Sequence, residues 1–96
     1  MRARRTDDNQ KEIVKALIKI GCSVAITSGS GDGFPDLVVG YRGKNYLIEV
    51  KDGNKPPSQR KLTPVQVEFH KKWTGQICVV KSINEAIEFI KTQNEV

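Results

Sequence analysis

Cysteine is scarce in this sequence, and its two examples, Cys22 and Cys78, form no Cys-x-x-Cys pair. That excludes a disulfide scaffold and a thiolate zinc knuckle, and it fits buried, reduced strand residues of an intracellular protein. Histidine is limited to His70, and no second His or Cys is spaced to complete a zinc site with it. A lone His is more often structural or solvent-facing than catalytic, and His70 is read that way. No apolar run approaches the roughly 18 residues of a membrane span, so no membrane association is expected. Met1-Arg-Ala-Arg-Arg leads into no apolar stretch of the kind a signal peptide needs. Residues 1–6 are expected to be a basic arm, and the location cytoplasmic. Internal repeats and low-complexity tracts are lacking as well.

What remains is an ordinary globular composition. Ninety-six residues, 38% apolar and 28% charged, make a single domain over residues 1–96 with a modest core. The formal net charge of +5 favours a polyanionic partner without saying anything about fold.

The most informative stretch is Gly33–Lys51. Leu37–Tyr41 and Tyr46–Val50 are apolar runs rich in branched and aromatic residues, joined by Arg42-Gly43-Lys44. They read as a β-hairpin. Asp36, Glu49 and Lys51 interrupt or flank it, and charges on buried strands are costly unless paired or bound to a cation. A turn at Arg42-Gly43 places Asp36 opposite Glu49; a turn at Gly43-Lys44 places it opposite Lys51. Either register puts all three side chains on one face, because side chains alternate with period two. Facing Cβ atoms lie roughly 5 Å apart, and two carboxylates that close repel unless neutralised. A divalent cation with a preference for oxygen would neutralise them; Mg²⁺ is commonly held by one or two carboxylates with water and phosphate. Lys51 could steady developing negative charge or orient an attacking water. That is equipment for metal-assisted phosphodiester hydrolysis. The plainer reading is an ion pair of Lys51 with Glu49 or Asp36 at a strand end. On the other face, Tyr46, Ile48 and Val50 match Leu37, Val39 and Tyr41 and should pack on helices.

Upstream, Ile13, Leu17 and Ile20 recur at helical spacing over residues 7–20, with Thr6 as N-cap and Gly21 as stop. Lys11, Lys15 and Lys19 form a solvated basic edge. Ser23–Thr27 is a short strand. Ser28–Gly33 is a glycine-rich loop, either a plain connector or a loop that lets a phosphate backbone approach Asp36. Downstream, residues 52–61 form a polar loop. Lys55, Arg60 and Lys61 within it are candidate phosphate contacts that need no base specificity. Thr63-Pro64-x-Gln66 opens a helix with an N-cap, a proline at the first helical position and a capping-box glutamine. Val65, Phe69 and Trp73 form its expected buried stripe. Ile77–Val80 is apolar throughout and reads as a central strand covered on both faces. Ser82-x-x-Glu85 caps a last helix carrying Ile83, Ala86, Ile87 and Ile90, with fraying expected over 93–96.

Pro35-Asp36 followed by Glu49-Val50-Lys51 resembles the PD-(D/E)xK nuclease signature. With Gly33 before it and Leu62-Thr63-Pro64-x-Gln66 after it, the chain is similar to the VRR-NUC branch, small stand-alone phage and bacterial nucleases. The resemblance implies an α/β, restriction-endonuclease-like core in the order αβββαβα, a mixed sheet flanked by helices. It implies a Mg²⁺- or Mn²⁺-dependent DNA endonuclease of phage-type replication or repair, acting on branched DNA, Holliday junctions among it; a homodimer is expected because so small a chain has little surface to enclose a duplex alone. Asp36, Glu49 and the Val50 carbonyl would hold the metal, and Lys51 would serve catalysis. Gln66 would take a second role at the site, shared only in part with its cap because one amide cannot face both ways. A carboxylate on the first helix reaches the metal in several relatives; Asp8, Asn9 and Glu12 are the positions open to that role. The alternative is a DNA-binding module of the same fold without turnover.

Overall fold

Arg42 and Gly43 adopt φ of 51° and 81°, the two left-handed residues a type I′ hairpin turn needs. They join β2 (Leu37–Tyr41) to β3 (Lys44–Val50), and Tyr41 pairs with Lys44 across the turn. The first of the two possible registers is therefore the real one. In the computed structural model, which describes residues 7–94, the order is α1 (Gln10–Lys19), β1 (Ser23–Ile26), β2, β3, α2 (Pro64–Lys72), β4 (Ile77–Val80) and α3 (Ile83–Gln93). The expected α/β order αβββαβα is present. The basic arm and the Thr6 cap lie outside the described residues.

The sheet runs β1-β2-β3-β4, antiparallel except for the parallel β3–β4 pair. One face carries Leu37, Val39, Tyr46, Ile48 and Val50, which pack with Ile13 and Leu17 of α1 and with Ala86 and Ile90 of α3. All of these side chains are fully buried, and each Val, Leu and Ile among them contributes roughly 1.5–3 kcal/mol by leaving water. The opposite face carries Leu47 and Glu49, and α2 lies over it. No helix among the described residues is long and apolar enough to cross a membrane.

Four expectations about these elements need correction. First, α1 begins at Gln10, with Asn9 as N-cap. Asn9 makes no capping bond because its amide is turned to carbonyls elsewhere. Second, β4 is an edge strand, with Ile77, Cys78 and Val79 half-buried. A continuous apolar run reports that both faces of a strand are covered; it is silent about the strand's outer hydrogen-bonding edge. Third, Val65, Phe69 and Trp73 are not a buried stripe. Val65 and Trp73 are 55% and 42% exposed, and Gln66 is the buried residue of α2. The helix sits over the charged face of β3, so its inward position is an amide, Phe69 is half-buried, and Val65 and Trp73 turn outward. Fourth, the tail is ordered as far as Asn94: Gln93 ends α3, and the Asn94 amide donates to the Tyr46 hydroxyl at 3.1 Å and to the Ile90 carbonyl at 2.7 Å. Both cysteines are free, Cys22 buried just before β1 and Cys78 half-buried on β4, where burial pushes the thiol up to about 12.

Candidate active site

Leu37 pairs with Ile48, so the residue before it, Asp36, stands across from Glu49. Asp36 and Glu49 are 5% and 2% exposed, and Lys51 is 8% exposed. Buried charges persist only with partners, and here each has one. Asp36 Oδ2 accepts the Val50 backbone N–H at 2.8 Å. Lys51 Nζ lies 3.7 Å from Glu49 Oε2 and donates to Gln66 Oε1 at 3.0 Å. Gln66 Nε2 donates to Glu49 Oε2, also at 3.0 Å. The two strand ends and the first turn of α2 thus bring Asp36, Glu49, Lys51 and Gln66 together.

Gln66 corrects an expectation. Its Oε1 also accepts the Thr63 backbone N–H at 2.9 Å, and Thr63 Oγ1 accepts the Gln66 N–H at 3.2 Å, a complete capping box. One amide serves cap and site in full, because a carbonyl oxygen has two lone pairs and the amine and the Thr63 N–H each take one.

The glycine-rich loop has a structural duty that the sequence did not disclose. Gly33 has φ of 79°, and a Cβ there would meet the Val65 carbonyl oxygen at 2.5 Å. Its bare backbone lets α2 come down onto the site. Phe34 then packs edge-on against Phe69 at 5.3 Å between centroids.

Of the first-helix candidates, Asp8 and Glu12 are exposed, and Asp8 Oδ2 sits 3.7 Å from Lys55 Nζ. Asn9 alone is buried: its Nδ2 donates to the Lys51 carbonyl at 3.2 Å and to the Lys81 carbonyl at 3.0 Å. Two acids near the site were missed. Asp7 is half-buried, and desolvation raises its pKa; the charges of Lys51 and Lys55 oppose that rise, while Asp36 and Asp52 add to it. Asp52 is buried, with Oδ1 accepting the Asn54 N–H at 2.9 Å. Asp52-Gly53 reads locally as a turn, and nothing in the residues around Asp7 tells where the chain entering α1 will run.

The proposed phosphate contacts are dispersed. Lys61 is exposed, Lys55 is engaged with Asp8, and Arg60 is half-buried, its Nε enclosed without a partner. His70 is half-buried, with Nε2 enclosed; desolvation first and the Lys51 charge second lower its pKa. Both effects favour the neutral ring.

Two carboxylates and no third His, Cys, Asp or Glu close enough to form a metal cluster are found among the described residues. That donor chemistry fits a hard divalent ion that keeps water and phosphate oxygens in its shell.

No curated protein matches the chain significantly. A solved structure described as a VRR_NUC domain is 30% identical, with a TM-score of 0.64, covering 85% of this chain and 89% of that one. The profile of a family described as archaeal Holliday junction resolvase (hjc) matches residues 1–94. The αβββαβα core, the Asp36–Glu49–Lys51 cluster and a match over nearly the whole length agree, and the chain belongs to the archaeal Holliday junction resolvase family, on a VRR-NUC-like nuclease fold.

Proposed function

We propose that this protein is a divalent-metal-dependent endonuclease that cuts branched DNA, four-way junctions included, and works as a homodimer. The observation that carries this reading is the convergence of Asp36 and Glu49 across a strand pair, with the Lys51 amine held between Glu49 and Gln66. Asp36, Glu49 and the Val50 carbonyl would hold Mg²⁺ or Mn²⁺. When bound, the ion would supply Lewis acidity and charge neutralisation at the scissile phosphate.

The chain's own groups do the rest. The Val50 N–H fixes the Asp36 carboxylate on the strand end. Lys51 presents its amine in a fixed direction. It can meet the negative charge that builds on the phosphorus oxygens or orient the incoming water. Gln66 holds that amine and Glu49 in one geometry, so little reorganisation is left for the reacting complex. Lys61, exposed on the surface, supports strand contacts of the sequence-independent kind. A net charge of +5 supports the same partner.

The dimer is supported by the outward face of α2. Val65 and Trp73 are exposed, the Trp73 ring stacks on Phe69 at 5.4 Å, and Phe69 meets Phe34. An apolar patch of this kind on a small chain suits a self-complementary two-fold contact. Sedimentation should give twice the chain mass, and Trp73→Glu should halve it.

The decisive experiment is a cleavage panel of linear duplex, flap and four-way junction with Mg²⁺ or Mn²⁺. Cutting of branched DNA that is lost in Asp36→Asn and Lys51→Ala supports the reading. Wild-type inactivity on every substrate refutes it, as does undiminished activity in either variant. The alternative is a DNA-binding module of the same fold without turnover. That rival is met if the wild type binds junctions in a salt-sensitive manner yet cuts none.

A further inference from the structure

We propose that Thr63 is a positioning residue for the site, acting through the orientation of the Gln66 amide. The inference rests on the nuclease reading for its catalytic consequence, but its structural core stands apart from it.

An amide side chain has two ends of opposite hydrogen-bonding character, and its two flips are nearly equal in shape. Gln66 is surrounded so that only one flip is satisfied. Its Oε1 faces two donors, the Thr63 N–H at 2.9 Å and Lys51 Nζ at 3.0 Å; its Nε2 faces an acceptor, Glu49 Oε2, at 3.0 Å. Turning the amide over would set an NH₂ group against two donors and a carbonyl against a carboxylate. In a site this buried each such mismatch is expensive. Lys51 and Glu49 match the amide in the same flip, but each is the end of a side chain with several torsions. The Thr63 N–H belongs to the backbone at a helix start and cannot turn. It is the fixed reference that selects the flip.

The same reference is tied back by Thr63 Oγ1, which accepts the Gln66 N–H at 3.2 Å. Thr63 is exposed and Gln66 is the buried residue of α2. The seating of α2 on the sheet is therefore conveyed inward along one path: cap, amide, amine and carboxylate. A helix start that loosens would release the direction of the Lys51 amine without touching Lys51, Glu49 or the scissile phosphate.

Thr63 has φ of −71° and ψ of 162°, a conformation proline adopts readily. Thr63→Pro therefore removes the reference N–H and the hydroxyl together, and Thr63→Ser keeps both. The Gln66 side-chain amide resonances are identified by their absence in Gln66→Glu protein. In Thr63→Pro they should move towards the shifts of a free glutamine amide, and in Thr63→Ser they should stay. Junction cleavage should follow, with kcat falling about ten- to a hundredfold in Thr63→Pro, KM for DNA unchanged, and Thr63→Ser restored to the wild-type rate. Unmoved Gln66 resonances in folded Thr63→Pro protein would overturn the proposal, whatever the activity. So would a kcat equal to wild type. If Thr63→Pro does not fold, hydrogen exchange of the Thr63 amide judges the bond: slow exchange in the wild type and fast exchange in Gln66→Leu support the proposal, and equal rates overturn it. A wild type that cuts nothing defeats the nuclease reading, and the resonances still judge this one.

Discussion

The carboxylate of Asp36 accepts the backbone N–H of Val50 at 2.8 Å, reaching across the hairpin to the residue beside its acidic partner. One oxygen of the acid is thereby spent on architecture. Asp36→Asn keeps a carbonyl that can accept the same bond; Asp36→Ala does not. Cleavage should vanish in both. Stability should hold nearly at wild type in Asp36→Asn and drop by about 1.5–3 kcal/mol in Asp36→Ala, the usual worth of a hydrogen bond to a charged group. Urea unfolding of both variants, beside the cleavage assay, separates the two roles.

Gly33 lies under α2 with positive φ and no space for a Cβ. Gly33→Ala should cost about 1–3 kcal/mol from backbone strain alone, with a further loss because α2 must lift. Cleavage should fall more steeply than stability, since lifting α2 withdraws Gln66 from Lys51. Thermal unfolding and single-turnover cleavage, measured well below the melting temperature, test this. A variant as stable and active as wild type would show that the loop and helix do not bear on each other.

Lys61 and Lys55 should differ as DNA contacts. Lys61 is exposed, whereas Lys55 Nζ is 3.7 Å from the Asp8 carboxylate. Lys61→Ala should weaken binding to all sequences alike and lower the slope of log K against log salt by about 1. Lys55→Ala should lower it less, and Asp8→Ala should strengthen binding. Fluorescence anisotropy across a salt series reads all three, and equal slopes for both lysine variants would refute the distinction.

Desolvation raises the pKa of Asp7 in the folded chain. A raised acid favours the native state while it carries its proton. That contribution is complete below the unfolded value of 3.8 and is lost as pH rises through the folded one. Near neutrality the ionised Asp7 therefore weighs against folding. Asp7→Asn should raise the melting temperature at about pH 7 and change it little at about pH 3. A gap of equal size at both pH values would disprove the account.

Much of this was legible in the residues. Alternation along Tyr46–Val50 fixed which side chains share a face, and so placed Glu49 and Lys51 away from the core; the turn residues narrowed Asp36 to two partners. The cap of α2 was plain from Thr63-Pro64-x-Gln66. What stayed hidden depended on neighbours distant in sequence. Val65, Phe69 and Trp73 carry the spacing of a buried stripe, but the sheet face beneath α2 is charged, and periodicity names a stripe without saying what it faces. The apolar run of β4 reports covered faces and not its place at the edge. Asp7 comes within electrostatic reach of Lys51 and Asp36 through the path of the chain entering α1, which local patterns do not encode.

The Asn9 amide gathers carbonyls from Lys51, 42 positions later, and from Lys81, 72 positions later. A ribosome that has released the hairpin has already delivered Asp36, Glu49 and Lys51, yet the clasp around the lysine's own backbone must wait for residue 81. A chain that has not yet reached residue 81 therefore holds Asp36, Glu49 and Lys51 without the clasp that joins the Lys51 backbone to the entrance of α1.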